Sequence, residues 1–315
     1  MRKMLPLFLL LLLCLFSPAL ADTPQPVDTV PYDDLPPVID GQTHVLLLCV
    51  DIWNATPEHL GNTDGMVLVT LDRYAHRVML TSMIRDALVD KGDGHIGRIN
   101  YIAHDSGPEA LCRVLSQHLG VRIEKYLLFD FSQIQDIIDE LGGVDITVTD
   151  AEASYLRRYA IPKDSTVPRL KGEGTYHFNG HSAVIYMRIR KAGGGGDFMR
   201  TQRVRTVLST LADTCRTITY EEARALVDSV LRHTTLTNLN VDSMVHVMDE
   251  AYALRDCTIE ELRIPVDGAV HAIRYAGMAA QEVDWKMCRE AMADYLENSF
   301  LVLHDEAELT LSTFE

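Results

Sequence analysis

Three short runs, His44 to Asp51 (HVLLLCVD), Gly65 to Asp72 (GMVLVTLD) and Arg77 to Ile84 (RVMLTSMI), do most to limit what this chain can fold into. The first two are almost continuous in apolar residues. That is the pattern of strands covered on both faces by helices, not of a sheet with one wet side. Asp72 to His76 is a tight link, so the second and third runs predict a hairpin. Tyr126 to Phe129 and Val144 to Val148 read as further strands, with a helix from Ser132 to Leu141 between them that stops at Gly142-Gly143. Helical spacing recurs over Ile99 to Leu119, Asn179 to Arg188, Phe198 to Ala212, Tyr220 to Leu231, Val241 to Leu254 and Ala279 to Leu296, with a strand at Ile259 to Ile264. This alternation predicts an α/β sheet flanked by helices.

The chain is long enough for such a core: of 315 residues, 47% are hydrophobic and 23% charged. Its formal charge is 29 − 45 = −16. That argues against a nucleic-acid partner, because gripping a phosphate backbone needs a cationic face. The N-terminus shows Arg2-Lys3, an apolar run from Met4 to Phe16, and Ala19-Leu20-Ala21. These are the parts of an export signal over residues 1–21, either a cleaved signal peptide or a retained signal anchor. Residues 22–41 carry Pro24, Pro26, Pro31, Pro36 and Pro37 and read as a linker. Cys49 and Cys112 read as small core residues, while Cys215, Cys257 and Cys288 offer one disulfide to an exported protein.

Two features bear on function. Asp51 ends the first buried run and Asp64 precedes the second, so two carboxylates meet one sheet edge, and Arg85-Asp86 follows the third run in the same way. Arg188 to Arg205 (RIRKAGGGGDFMRTQRVR) sets Arg188, Arg190, Lys191, Arg200, Arg203 and Arg205 against the single acid Asp197. A glycine loop, Gly193 to Gly196, leads into a helix start with Asp197 as N-cap and Arg200 and Arg203 on one face. Such a segment is either a solvated basic face or a phosphate or pyrophosphate site.

The blocks LLLCVD, NTDGMVLVTLD, LTSMIRD, RINYIAH, GGVDITV, FNGHSAVIYMRIRK and GDFMRTQR stand in order, and the chain over Val45 to about Leu211 resembles the LytR-CpsA-Psr (LCP) family of cell-wall assembly proteins. The resemblance implies a catalytic domain over 42–265 with a mixed central sheet flanked by helices on both faces, then a mostly helical C-terminal extension over 266–315. It implies an extracytoplasmic phosphotransferase, secreted or anchored at the outer face of the cytoplasmic membrane. Such an enzyme moves a glycopolymer, such as a teichoic acid or capsular polysaccharide, from an undecaprenyl-pyrophosphate lipid to peptidoglycan with magnesium (Mg2+). Asp51 and Asp64 match the metal-associated aspartates, and Arg85 the arginine on the pyrophosphate. Arg188, Arg190, Arg200 and Arg203 match the remaining arginine set. The polyprenyl tail of this family lies in an apolar tunnel, for which Val67, Val69, Phe131, Ile134, Ile138 and Val184 are the candidates. Asn62 stands where the family has an arginine, Val204 where it has a glutamine and Cys49 where it has a glycine, and Trp53 follows the first aspartate in place of a small or basic residue. A hydrolase using the same site, or a non-catalytic binding protein that kept the fold, are the alternatives.

Overall fold

The computed structural model describes residues 27–159, 170–192 and 196–297. The N-terminal export signal and Gly193 to Gly195 lie outside them. Along the chain run β1 (Gln42–Val50), β2 (Thr63–Asp72), β3 (Arg77–Met83), the short β4 (Leu88–Asp90) and β5 (Ile96–Arg98), α1 (Ile102–Ser106) and α2 (Pro108–Leu119). Next come β6 (Lys125–Phe129), α3 (Phe131–Glu140), β7 (Val144–Val148), α4 (Asp150–Tyr159), β8 (Gly174–Phe178), α5 (Gly180–Met187) and α6 (Gly196–Cys215). The remainder is α7 (Tyr220–Arg232), β9 (Leu236–Thr237), α8 (Val241–Ala253), β10 (Thr258–Ile264), β11 (Val270–Tyr275), β12 (Met278–Val283) and α9 over 285–297.

The central sheet is mixed, as expected, in the order β10-β3-β2-β1-β6-β9. The hairpin of β2 and β3 forms, β1 lies antiparallel to β2, and β6 and β10 add in parallel. Alternate residues of the strands serve two different layers. Leu46, Leu48, Met66, Leu68, Met79 and Met83 join one core with Leu111, Leu115 and Leu119 of α2 and Trp285, Cys288 and Met292 of α9. Val45, Leu127 and Phe129 point the other way, onto α7 and α8. A third core, formed by α3 to α6 and the β7–β8 pair, closes the flank. There α5 lies hard against α3, since a Cβ on Gly180 would come within 2.0 Å of the Gln135 carbonyl oxygen.

Several expectations are corrected. The helix read over Ile99 to Leu119 is broken at Gly107, whose φ of 88° no helix accepts, and restarts at Pro108, a good first helical residue. The helix read from Ala279 begins at 285 instead. Residues 270–283 form the β11–β12 hairpin, because Ala276 and Gly277 both take positive φ (48° and 79°) in a two-residue turn that suits strand twist. Over residues 266–297 the chain is thus a hairpin followed by a helix, and α9 is built into the main core. The expected linker is strapped down over its described part. Arg122 donates to the Leu35 and Pro36 carbonyls, and the Tyr32 ring lies under Arg113 and Arg122. Among the described residues every cysteine is free, so Cys215, Cys257 and Cys288 form no disulfide.

Candidate functional site: an arginine-rimmed apolar cavity

The site begins with an irregularity. Register between β1 and β2 runs evenly to Cys49 opposite Gly65, but Val50 then faces Thr63, so Asp64 is an extra residue, a β-bulge. Strict alternation from Val67 would turn Asp64 toward the α2 layer. The bulge turns it onto the other face, where Asp64, Gly65 and Val67 all line one cavity.

Three guanidinium groups converge on that carboxylate. Arg85 donates from Nη1 to Oδ1 at 2.7 Å and to Oδ2 at 3.0 Å; Arg190 Nη2 and Arg200 Nη1 donate to Oδ2 at 2.9 and 2.8 Å. Arg200 also holds the Asp64 carbonyl oxygen at 3.1 Å. Arg85 comes from the end of β3, Arg190 from the turn after α5 and Arg200 from the second turn of α6, so three distant segments meet at one residue. A second acidic pair sits behind them. Asp197 Oδ1 lies 3.4 Å from Arg200 Nη2, and its Oδ2 lies 3.5 Å from Arg85 Nε. Asp86 Oδ1 lies 3.6 Å from the same Nε and takes a hydrogen bond from Arg98 Nη1 at 3.0 Å. Asp197 is therefore not the expected N-cap. It lies inside the first turn of α6 and spends its charge on the arginines.

Burial, and then a hydrogen bond shared with Asp197, push the Asp86 carboxyl up to about 6. Burial would raise Asp197 as well, but the bond from Asp86 and the charges of Arg200, Arg85 and Arg190 outweigh it and hold Asp197 below the usual carboxylate range. Of the two acids, Asp86 is therefore the one that takes up a proton first as pH falls. Arg85 and Arg200 shift in opposite directions although both pair with Asp64. Arg200, only 5% exposed, is lowered by burial, while for Arg85 burial is the largest single influence but the bond to Asp64 and the charges of Asp64, Asp197 and Asp86 together outweigh it. Both stay charged at neutral pH.

Behind this rim lies an apolar cavity of about 330 Å³, and beyond it, sharing Leu127, Leu208, Leu226 and Val230 as a common wall, a second of about 360 Å³. Val67, Phe131, Ile134, Ile138 and Val184 line the first and Val69 the second, so every tunnel candidate faces one of the two. Val204 and Cys49 also line the first. Burial pushes the Cys49 thiol far up, with the Asp64 charge adding to it, so the thiol stays protonated.

Other sequence candidates are placed differently. Arg188 lines the cavity mouth, with its guanidinium 4.3 Å from the Phe131 ring centroid. Arg203 does not reach the mouth. It is 2% exposed and fully used: Nε donates to Glu152 Oε1 at 2.7 Å, Nη1 to the Ile189 carbonyl at 2.8 Å and Nη2 to the Ala192 carbonyl at 3.0 Å. Three helical steps advance 300°, which moves Arg203 about 60° round α6 from Arg200, onto the α4 side. Arg205 is likewise a clamp, holding Glu261 at 2.8 Å. Asp51 is not drawn into the arginine cluster; its Oδ1 accepts from the Asn62 backbone N–H at 2.8 Å and braces the loop between β1 and β2. Arg98 escaped sequence reasoning as a site residue, although the RINYIAH block that carries it was in view.

A ring of guanidinium groups at the mouth of an apolar cavity defines a protein that can hold an anionic headgroup on a long apolar tail. The chain belongs to the LytR_cpsA_psr family, whose model matches residues 25–291. Among curated relatives it is 31% identical over 162 residues to the polyisoprenyl-teichoic acid–peptidoglycan teichoic acid transferase TagV of Bacillus subtilis, a match covering 50% of this chain but only 40% of that protein. It is 26% identical over 227 residues to TagU of Bacillus cereus, named for the same activity, covering 71% of this chain and 69% of TagU. The solved structure of TagT (YwtF) with bound octaprenyl pyrophosphate lipid superposes with a TM-score of 0.62 at 20% identity, over 82% of this chain and 90% of that one, a likeness of fold.

Proposed function

We propose that this protein is an extracytoplasmic phosphotransferase that takes a glycopolymer from a polyprenyl-pyrophosphate lipid, with undecaprenyl as the tail, and joins it to peptidoglycan at the membrane surface. The observation that carries the reading is Asp64 under three guanidinium groups at the entrance to the twin apolar cavities. The names of TagV and TagU and the lipid bound to TagT support it.

In this reading Asp64 holds Arg85, Arg190 and Arg200 in place before the donor arrives, so little reorganisation is left to do. The pyrophosphate then enters the same guanidinium set, with Arg188 at its edge, while the cavities take the tail out of water. A peptidoglycan hydroxyl attacks the phosphorus attached to the glycopolymer. The new P–O bond forms as the bond to the bridging oxygen breaks, and the lipid leaves as its monophosphate. The arginines offset the charge that moves onto that leaving phosphate. The hydroxyl proton passes to an aspartate, and Asp64 is the carboxylate that lines the cavity.

Magnesium belongs to the reading through Asp64 and Asp51, the carboxylates that would hold it. Among the described residues no group of three or more His, Cys, Asp or Glu side chains gathers for a metal. Asp64 and Asp51 both offer oxygen donors of the kind a hard cation takes. The Asp64 oxygens already accept from three guanidinium groups, however, and Asp51 stands apart from that cluster, so the cation would arrive with its waters on the substrate phosphates and need only one or two carboxylates. When bound, it supplies further charge neutralisation at the phosphates.

The test is product analysis with a labelled lipid-linked glycan, with and without peptidoglycan. The reading expects label in peptidoglycan only when the acceptor is present, and polyprenyl phosphate in equal amount. Free glycan phosphate released without acceptor would make the protein a hydrolase; tight lipid binding with no turnover would make it a binding protein.

A further inference from the structure

Trp53 is 41% exposed, beside a site otherwise built of charge and buried apolar surface. It is not a loose surface residue. Its ring centroid lies 5.6 Å from that of Phe131, tilted at 60°, and the Arg188 guanidinium lies 4.3 Å from the same Phe131 ring. One ring thus separates the indole from the cationic mouth. The backbone on both sides of it is pinned to the start of α3. The Ile52 carbonyl accepts from Phe131 N–H at 3.3 Å, Asn54 N–H donates to Ser132 Oγ at 3.2 Å, and Ala55 N–H donates to Asp130 Oδ2 at 2.6 Å. Asn54 holds a φ of 56° to allow this turn. An exposed indole fixed from both sides has already lost the freedom that binding would otherwise cost it.

From this geometry we infer that Trp53 is the floor of a sugar subsite, on which the first saccharide beyond the pyrophosphate of the donor stacks. The inference rests on the proposed function and adds a contact to the glycan. A pyranose ring offers an apolar face of C–H groups that an indole covers well, while its hydroxyls remain free for polar neighbours. The same loop exposes Asn54, Glu58 and His59, which are hydrogen-bonding partners of the required kind. A loop that dips into a membrane surface would surround its tryptophan with apolar or basic residues, and the exposed Asn54, Thr56 and Glu58 are neither.

The experiment compares two probes on the whole protein: a polyprenyl pyrophosphate carrying one N-acetylhexosamine, and the same lipid without the sugar. Trp53→Ala is expected to weaken the sugar-bearing lipid about five- to tenfold and leave the bare lipid unchanged, while Trp53→Phe stays within about twofold of the parent. Direct optical evidence is available, because the other tryptophan of the chain, Trp285, is buried with its Nε1 donating to the Leu88 carbonyl at 2.8 Å. Acrylamide quenching therefore reports Trp53, and the sugar-bearing lipid alone should protect it. Equal affinity of Trp53→Ala and parent for the sugar-bearing lipid overturns the inference. So does an equal loss for both lipids, or a loss of binding to vesicles of anionic phospholipid free of either probe, which would make Trp53 a membrane contact. A parent that binds neither lipid refutes the proposed function itself, and the inference with it.

Discussion

The two faces of the central sheet are made by the same strands and yet are opposites. On one, Leu46, Leu48, Met66 and Leu68 are each no more than 1% exposed and are filled in by α2 and α9. On the other, the residues between them, Leu47, Cys49, Val67 and Val69, look into two apolar cavities under α6, α7 and α8. Protein interiors are normally packed as densely as organic crystals, so about 330 and 360 Å³ of apolar space costs stability that a merely structural core would recover. The dense face holds the fold, and in the proposed function the hollow face is kept open for the lipid tail. The arginines divide in the same manner: Arg203 and Arg205 are spent on buried clamps, Arg85, Arg190 and Arg200 on the mouth.

The largest effect should come from removing a clamp. Arg203→Met leaves Glu152 buried without its partner and two carbonyls unmet, and is expected to cost about 3 to 5 kcal/mol in urea unfolding. A cost below about 1 kcal/mol would return Arg203 to the site. Next, Leu68→Ala on the dense face should cost about 3 kcal/mol, whereas Val67→Ala beside the cavity should cost about 1 kcal/mol. Equal losses would mean that both faces are packed alike. Arg190→Ala, at a side chain 44% exposed, should change stability by less than about 1 kcal/mol. Pyrophosphate-lipid affinity should nevertheless fall about tenfold in titration calorimetry, since one charge-assisted contact is lost.

A smaller effect concerns pH. The folded chain holds the Asp86 proton up to about pH 6, against an ordinary value of 3.8. Between those values the folded state binds more protons than the unfolded one, so this group withdraws stability as pH rises through the window. Asp197 acts in the opposite sense: its contribution is present above the ordinary value and is lost as pH falls through its own lower one. Asp86→Asn keeps a donor for Asp197 and should therefore raise the melting temperature above about pH 6 and leave it unchanged below about pH 4. A uniform shift at all pH values would show that the Asp86 proton is not the cause.

Much of this was legible in the sequence because it is local. The apolar runs named β1 to β3, and Asn179 and Gly120 marked helix ends that the structure keeps. The tunnel candidates came from the family resemblance, and of them only Val67 and Val69 lie on a strand whose period-two alternation identifies a face. What stayed hidden depends on neighbours distant in sequence. That Asp64 turns onto the cavity face follows from a bulge against Cys49 and Val50, which breaks the alternation a reader counts on. That Arg203 is a clamp and Arg200 a mouth residue depends on where Glu152 and Asp64 come to lie; both are arginines three apart on one helix. The β11–β12 hairpin was hidden because Ala276 carries no turn signal of its own and the alanines after it favour a helix.

The claim that the hollow face is a lipid site is tested most directly by a crystal structure of the protein with a polyprenyl pyrophosphate. The account predicts the two phosphates on Arg85, Arg190 and Arg200, with the tail running past Val67 and Val184 into the chamber lined by Val69. Phosphates bound elsewhere, with the cavities closed by inward movement of α6 and α7, would contradict it.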